Sequence, residues 1–150
     1  YHLMYQDHLI IPSPGAFGPD IGHVISRDLV HWARLPVSIW NDEPYDENGI
    51  WTGADPIVNG KPFIIYPGRC TVGVDFAGCI TSTNYAMAVP ADPTDPSPDV
   101  HQLDELDKSE GISIATNPIV NGTSDDPSTA WQTPYGEWRL IGNAKAHGQN

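Results

Sequence analysis

The sequence predicts an all-β chain, and three observations carry the prediction. Its 150 residues include 15 prolines and 14 glycines, two residue types that interrupt helices and punctuate turns. Its apolar residues fall in short runs bounded by such turn residues, the pattern of strands rather than of long amphipathic helices. One strand–turn–strand unit also recurs. Asp55-Pro56, a strand, a turn, Gly60-Lys61, an apolar strand and Gly68 are echoed by Asp126-Pro127, a strand, a turn, Gly136-Glu137, an apolar strand and Gly142. Each blade of a β-propeller is a small antiparallel sheet, so recurrence of this kind points to that architecture. At roughly 40–50 residues per blade, a chain of this length holds two to three blades and leaves the ring open.

In chain order, strand-like runs cover Tyr1 to Gln6, Gly22 to Arg27, Gly49 to Val58, Lys61 to Tyr66, Asp75 to Asn84 and Ile112 to Ile114. A final pair covers Thr129 to Gln132 and Glu137 to Ile141. Asn59-Gly60 joins two of them, because Asn-Gly readily takes the positive φ angles of a two-residue hairpin turn. Pro134-Tyr135-Gly136 forms the second hairpin turn. Residues 90–111 carry four prolines and the acidic stretch from Asp104 to Glu110, which reads as a long surface loop with room for one helical turn. The first residue already lies in a strand-like run and the last have no closing element, so both ends are expected to be cut.

The formal charge is −12, from 7 basic and 19 acidic residues. Such a surface repels phosphate backbones and anionic headgroups, which argues against nucleic acid and membrane partners. No apolar run reaches the roughly 20 residues of a membrane span. With 39% apolar residues the chain can build a core. Acidic and aromatic side chains suit a neutral sugar, whose hydroxyls meet carboxylates and whose apolar ring faces meet Trp and Tyr. Cys70 and Cys79 flank Gly73 and Gly78; they are either facing positions of a bridged hairpin or two buried thiols. Asn121-Gly122-Thr123 is a glycosylation sequon if the protein is exported. Together these features favour a secreted or vacuolar protein.

The motifs are more specific. Tyr1-His2-Leu3-Met4-Tyr5-Gln6, then Gly22-His23-Val24-Ile25-Ser26-Arg27-Asp28-Leu29-Val30-His31-Trp32 and Leu35-Pro36, resemble the Y-H-L-F-Y-Q and G-H-x-x-S-x-D-L-V-H-W-x-x-L-P of the family 32 glycoside hydrolases, the invertases and fructan hydrolases. Tyr45-Asp46-Glu47-Asn48-Gly49-Ile50-Trp51-Thr52-Gly53 is similar to Y-D-x-N-G-x-W-S-G, and Gly60 to Gly68 to G-K-P-x-x-x-Y-T-G. Asp126-Pro127-Ser128-Thr129-Ala130-Trp131 is similar to the end of R-D-P-x-T-A-W. The resemblance implies a partial five-bladed β-propeller, the amino-terminal part of a catalytic domain that binds a β-fructofuranosyl unit of sucrose or a fructan and needs no cofactor or metal. The remainder of the propeller would pack on this piece.

The implied reaction is a retaining hydrolysis by two carboxyl groups about 5–5.5 Å apart, one nucleophile and one general acid. In the family these lie in N-D-P-N-G and E-C, and neither motif occurs in the 150 residues, so the chain alone is expected to be inactive. What the resemblance assigns here is a binding shell. Asp126 stands for the aspartate that stabilises the transition state through fructosyl hydroxyls, and Gln6 for a sugar-contacting glutamine. Trp51 and Thr52 stand for the aromatic–serine pair of the pocket wall, and Phe17 falls near a sugar-contacting tryptophan. Asp125, also at the substrate site, replaces the arginine of R-D-P, so an anion stands where the family has a cation. That change keeps open a sugar-binding pseudoenzyme of the same fold; a fructosyltransferase is a third possibility. His23, Asp28, His31 and Trp32 lack metal-ligand spacing, and His31-Trp32 is expected to pack a blade. Asp42, Glu43, Asp46 and Glu47 read as a solvated loop.

Overall fold

The computed structural model describes residues 1–8, 18–58, 61–75, 77–90, 106–107, 117–123 and 126–143. Every regular element among them is a strand, and no helix among them is long and apolar enough to cross a membrane. The first sheet has the order β1 (His2–Asp7), β2 (Asp20–Ser26) and β3 (Trp32–Arg34), all antiparallel. After β3 the chain stays beside β2: Leu35 donates to the His23 carbonyl at 3.0 Å and Ser38 to the Ile21 carbonyl at 2.9 Å.

A short hairpin follows, β4 (Ile57–Val58) and β5 (Lys61–Pro62). Val58 pairs with Lys61, the register a two-residue turn imposes; Asn59-Gly60 themselves lie outside the described residues. The second large sheet is built on β6 (Ile64–Arg69) and β7 (Thr83–Pro90). On the far side of β7 lie β8 (Leu106–Asp107) and β9 (Val120–Asn121), while residues 50–54 run along β6 through bridges at Ile50 and Ala54. The last hairpin is β10 (Trp131–Gln132) and β11 (Trp138–Arg139). Gly136 takes φ 84° there and donates to the Thr133 carbonyl at 2.9 Å.

Alternation along β6 and β7 explains how these pieces stack. Ile64, Tyr66, Ala86 and Ala88 join Ile21, Ile39, Tyr45 and Ile50 in one buried cluster, with Met4 of β1 packed against it. Ile65, Tyr85 and Met87 point the other way and join Phe63, on which Ala130 and Leu140 pack. The Phe63 and Trp138 rings meet edge to face at 6.0 Å. The second sheet is therefore covered on both faces, by the first sheet and by the last hairpin, as a blade between two blades would be.

Several expectations shift. The expected strand from Asp75 to Asn84 instead begins only at Thr83, and Cys79 before it forms a disulfide with Cys70, their Cα atoms 6.1 Å apart. The bridge settles the two readings of this pair, and closing a loop of this size contributes about 2–3 kcal/mol in the chain-entropy account. β3, β8 and β9 were not expected. Of the expected 90–111 loop, Pro90 instead ends β7 and residues 106–107 form β8; its other residues and the strand at Ile112 to Ile114 lie outside the described residues.

The packed histidine is His23, fully buried, while His31 is exposed and Trp32 is 39% exposed. The cause is the turn between β2 and β3. Leu29 adopts φ 63°, and the Asp28 carboxylate accepts from the Val30 and His31 amides at 2.9 and 2.8 Å, which turns His31 outward. These bonds from His31 hold the Asp28 carboxyl far below the usual carboxylate range. Asp46 likewise leaves the expected solvated loop. It is fully buried, accepting from the Glu43 amide at 3.0 Å and from the Tyr66 hydroxyl at 3.0 Å.

His23 stacks on His2, with ring centroids 5.2 Å apart and His2 Nδ1 3.0 Å from His23 Nε2. Burial, and then the terminal ammonium, lower the His2 pKa from the ordinary 6.5. The unfolded chain thus takes up a proton more readily than the folded one. The His2 contribution to stability is in place above pH 6.5 and fades as the pH falls through the lowered folded value. Thermal unfolding of His2→Gln is expected to lose part of the destabilisation that the parent shows between pH 7 and pH 5; equal losses in both proteins would refute this.

Candidate functional site

The stacking of the first two sheets brings together residues far apart in the chain. Gln6 lies near the end of β1, two residues beyond Met4 and so on the same, inward face. Thr52 lies in the 50–54 stretch that runs beside β6. Gln6 Nε2 donates to Thr52 Oγ1 at 2.7 Å, a bond across 46 positions that links one sheet to the next. The Gln6 carbonyl oxygen and the Thr52 hydroxyl proton retain acceptor and donor capacity for a hydroxyl-bearing ligand.

Trp51 is held from several sides. Its amide donates to the Pro67 carbonyl at 2.9 Å, and the Arg69 guanidinium carbon sits 4.8 Å from its ring centroid. Gly49, at φ 118°, leaves the space that the indole edge and Pro19 occupy: a Cβ there would lie 2.5 Å from Trp51 Cζ3 and 2.7 Å from Pro19 Cδ. The ring remains half-buried, as a wall residue would be.

Asp126 is exposed and opens the segment that leads into the last hairpin. There Ser128 donates to the Ile141 carbonyl at 2.8 Å, and Ser128 Oγ accepts from the Ile141 amide at 2.8 Å. No hydrogen bond among the described residues joins Asp126 to Gln6, Trp51 or Thr52. Phe17 and Asp125 lie outside the described residues. Of the sequence-derived site, the structure thus unites Gln6 with Thr52 and sets Trp51 beside them in the chain. Among the described residues no three His, Cys, Asp or Glu side chains gather as metal ligands.

Two features of this region escape sequence reading. One is Arg69, whose only signal was a rare cation, one of 7 basic residues, just beyond the Tyr66-Pro67-Gly68 motif. The other is the carboxyl pair Glu47 and Asp75. A hydrogen bond shared with Asp75 raises the Glu47 pKa, while the Thr71 amide donates to Asp75. A groove of about 520 Å³ lies elsewhere, at the opposite end of the first sheet, lined by Tyr1, His2, Arg27, Asp28, His31 and Trp32 among others. It contains none of the residues assigned to the sugar site.

Comparison with known proteins places this geometry. The chain is 34% identical over 149 residues to an acid beta-fructofuranosidase of Phaseolus vulgaris, covering 97% of this chain and 20% of that protein. It is 33% identical over 149 residues to a vacuolar acid beta-fructofuranosidase of Arabidopsis thaliana, again covering 97% of this chain and 20% of that protein. It therefore spans about a fifth of the length of these relatives. Among solved structures, fructan 1-exohydrolase IIa of Cichorium intybus superposes with a TM-score of 0.69 at 29% identity, over 96% of this chain and 25% of that one. The stacked antiparallel sheets are accordingly part of a five-bladed propeller. The model of the glycosyl hydrolases family 32 N-terminal domain matches residues 1–150, and the chain belongs to that family.

Proposed function

We propose that this chain is part of a retaining glycosidase that acts on β-fructofuranosides, sucrose or fructans, and that Gln6, Trp51, Thr52 and Asp126 belong to its fructosyl-binding shell. The observation that carries the reading is the Gln6–Thr52 bond at 2.7 Å. It joins two motif residues 46 positions apart into one polar patch, and Trp51 is the residue before Thr52 in the chain. Gln6 and Thr52 orient fructosyl hydroxyls, Trp51 offers an apolar face to the ring, and Asp126 accepts hydroxyl protons more strongly as the sugar gains oxocarbenium character. Phe17 and Asp125 complete the shell in this reading. The two reacting carboxyl groups are supplied from outside these 150 residues. The Cys70–Cys79 bridge and the vacuolar relative support an oxidising, vacuolar or extracellular compartment.

The test has two arms. The chain alone, incubated with sucrose, is expected to release no fructose; turnover at an enzymatic rate would refute the division of the site. A longer polypeptide that carries this chain together with the missing motifs is expected to release fructose, and Asp126→Asn in it to lower kcat by about 10²–10³-fold, the scale of losing one preorganised transition-state contact. Asp125, in the place of the family arginine, favours a second reading as a sugar-binding pseudoenzyme. Sugar binding without fructose release by the longer polypeptide would select it.

A further inference from the structure

Arg69 ends β6 with its backbone fixed on both sides: its amide donates to the Gly49 carbonyl at 3.0 Å, and its carbonyl accepts from the Asn48 amide at 2.9 Å. Its side chain therefore leaves a rigid origin. The guanidinium carbon stands 4.8 Å from the Trp51 ring centroid, within cation–π reach. Arg69 Nε is buried and has no hydrogen-bond partner, and no carboxylate pairs with the guanidinium among the described residues. A buried donor left without an acceptor is costly, so the electron-rich indole face is the compensation this site provides. A second constraint comes from Gly49, where an added Cβ would lie 2.5 Å from Trp51 Cζ3.

We propose that Arg69 is a positioning residue: it clamps the Trp51 indole in one orientation and makes the surface at Trp51, the residue before Thr52 in the chain, electropositive, favouring neutral, hydroxyl-rich ligands over cationic ones. The clamp itself stands on geometry alone; its use for a sugar rests on the fructosyl-binding reading. In a chain of net charge −12, a guanidinium that pairs with no carboxylate among the described residues is an unusual local environment. Its hydrogen-bond donors match the oxygen acceptors of a polyol.

The experiment is ¹⁹F NMR of the chain labelled with 5-fluorotryptophan. It has five tryptophans, and Trp51→Phe assigns the resonance of interest. In Arg69→Met, which removes the charge but keeps much of the length, the Trp51 signal is expected to shift and broaden while the other four stay in place. Arg69→Lys, retaining a cation, is expected to recover part of the native shift. Should Arg69→Met fail to fold, Arg69→Gln carries the same comparison. A Trp51 signal unmoved in the uncharged variant would overturn the clamp. Fructose is then titrated into each protein. Movement of the Trp51 signal, with affinity about fivefold weaker in Arg69→Met, as expected for a partly exposed cation–π contact, supports the sugar role. If fructose leaves Trp51 unperturbed in the parent chain while Arg69→Met displaces it, the clamp stands and the fructosyl reading of this wall falls.

Discussion

Tyr66→Ala is expected to lower the stability of the chain by about 3–5 kcal/mol, the cost of deleting a large buried ring. Tyr66 is fully buried between the first two sheets, in contact with the cluster that contains Ile21, Ile50 and Ala86. The same change leaves Asp46, itself fully buried, without the phenol proton it accepts at 3.0 Å. Burial, and then the charge of Asp46, hold the Tyr66 pKa well above the ordinary 10.0, so the hydroxyl remains a donor across the neutral range. Tyr66→Phe separates the two contributions. It keeps the ring and removes only the bond, for an expected loss of about 1–3 kcal/mol. Urea unfolding measures both. Since small domains hold roughly 5–15 kcal/mol in all, the alanine variant is expected to unfold at a clearly lower urea concentration than the parent. A midpoint within error of the parent would mean that the two sheets do not share this core.

Gly49→Ala is the second large effect, expected to cost about 3–5 kcal/mol by combining a strained backbone with overpacking. At φ 118° the residue sits where L side chains are strained, and the new methyl would fall 2.5 Å from Trp51 Cζ3 and 2.8 Å from the Gly18 backbone. Backbone cannot give way cheaply, so the indole must move. The variant is therefore expected to change the Trp51 environment as well as the melting temperature. Gly73→Ala is the control: its φ is 74° but a Cβ there meets nothing within 4 Å, so only the backbone strain of about 1 kcal/mol remains. Equal losses in the two alanine variants would show that Gly49 serves the backbone alone and leaves Trp51 unconstrained.

Much of the fold was legible from residue pattern. Phe63-Ile64-Ile65-Tyr66 read as a strand, and its continuous apolar character is what a sheet buried on both faces requires. The Pro134-Tyr135-Gly136 turn emerged where Gly136 permits positive φ. The loop after Cys70 escapes residue pattern because a short run such as Asp75 to Asn84 has the same composition whether it is a strand or a segment tied down by a disulfide. For the site, Gln6 and Thr52 were selected by motif, yet nothing local tells either that the other is its partner. His31 and Asp46 show the reverse failure. Their burial depends on the direction in which a turn throws the side chain, and residue type does not report it.

The residues alone determined that this chain is all-β, acidic, cut into short strands by proline and glycine, and patterned like one glycoside hydrolase family. These are properties of nearest neighbours in sequence: turn chemistry, alternation and motif order. Tertiary structure decided which face of each strand is buried, that His23 rather than His31 enters the core, that Gln6 reaches Thr52, and that Arg69 lies over Trp51. Those outcomes depend on how one sheet stacks against the next, and stacking is set by side chains tens of residues apart whose contact has no local signature.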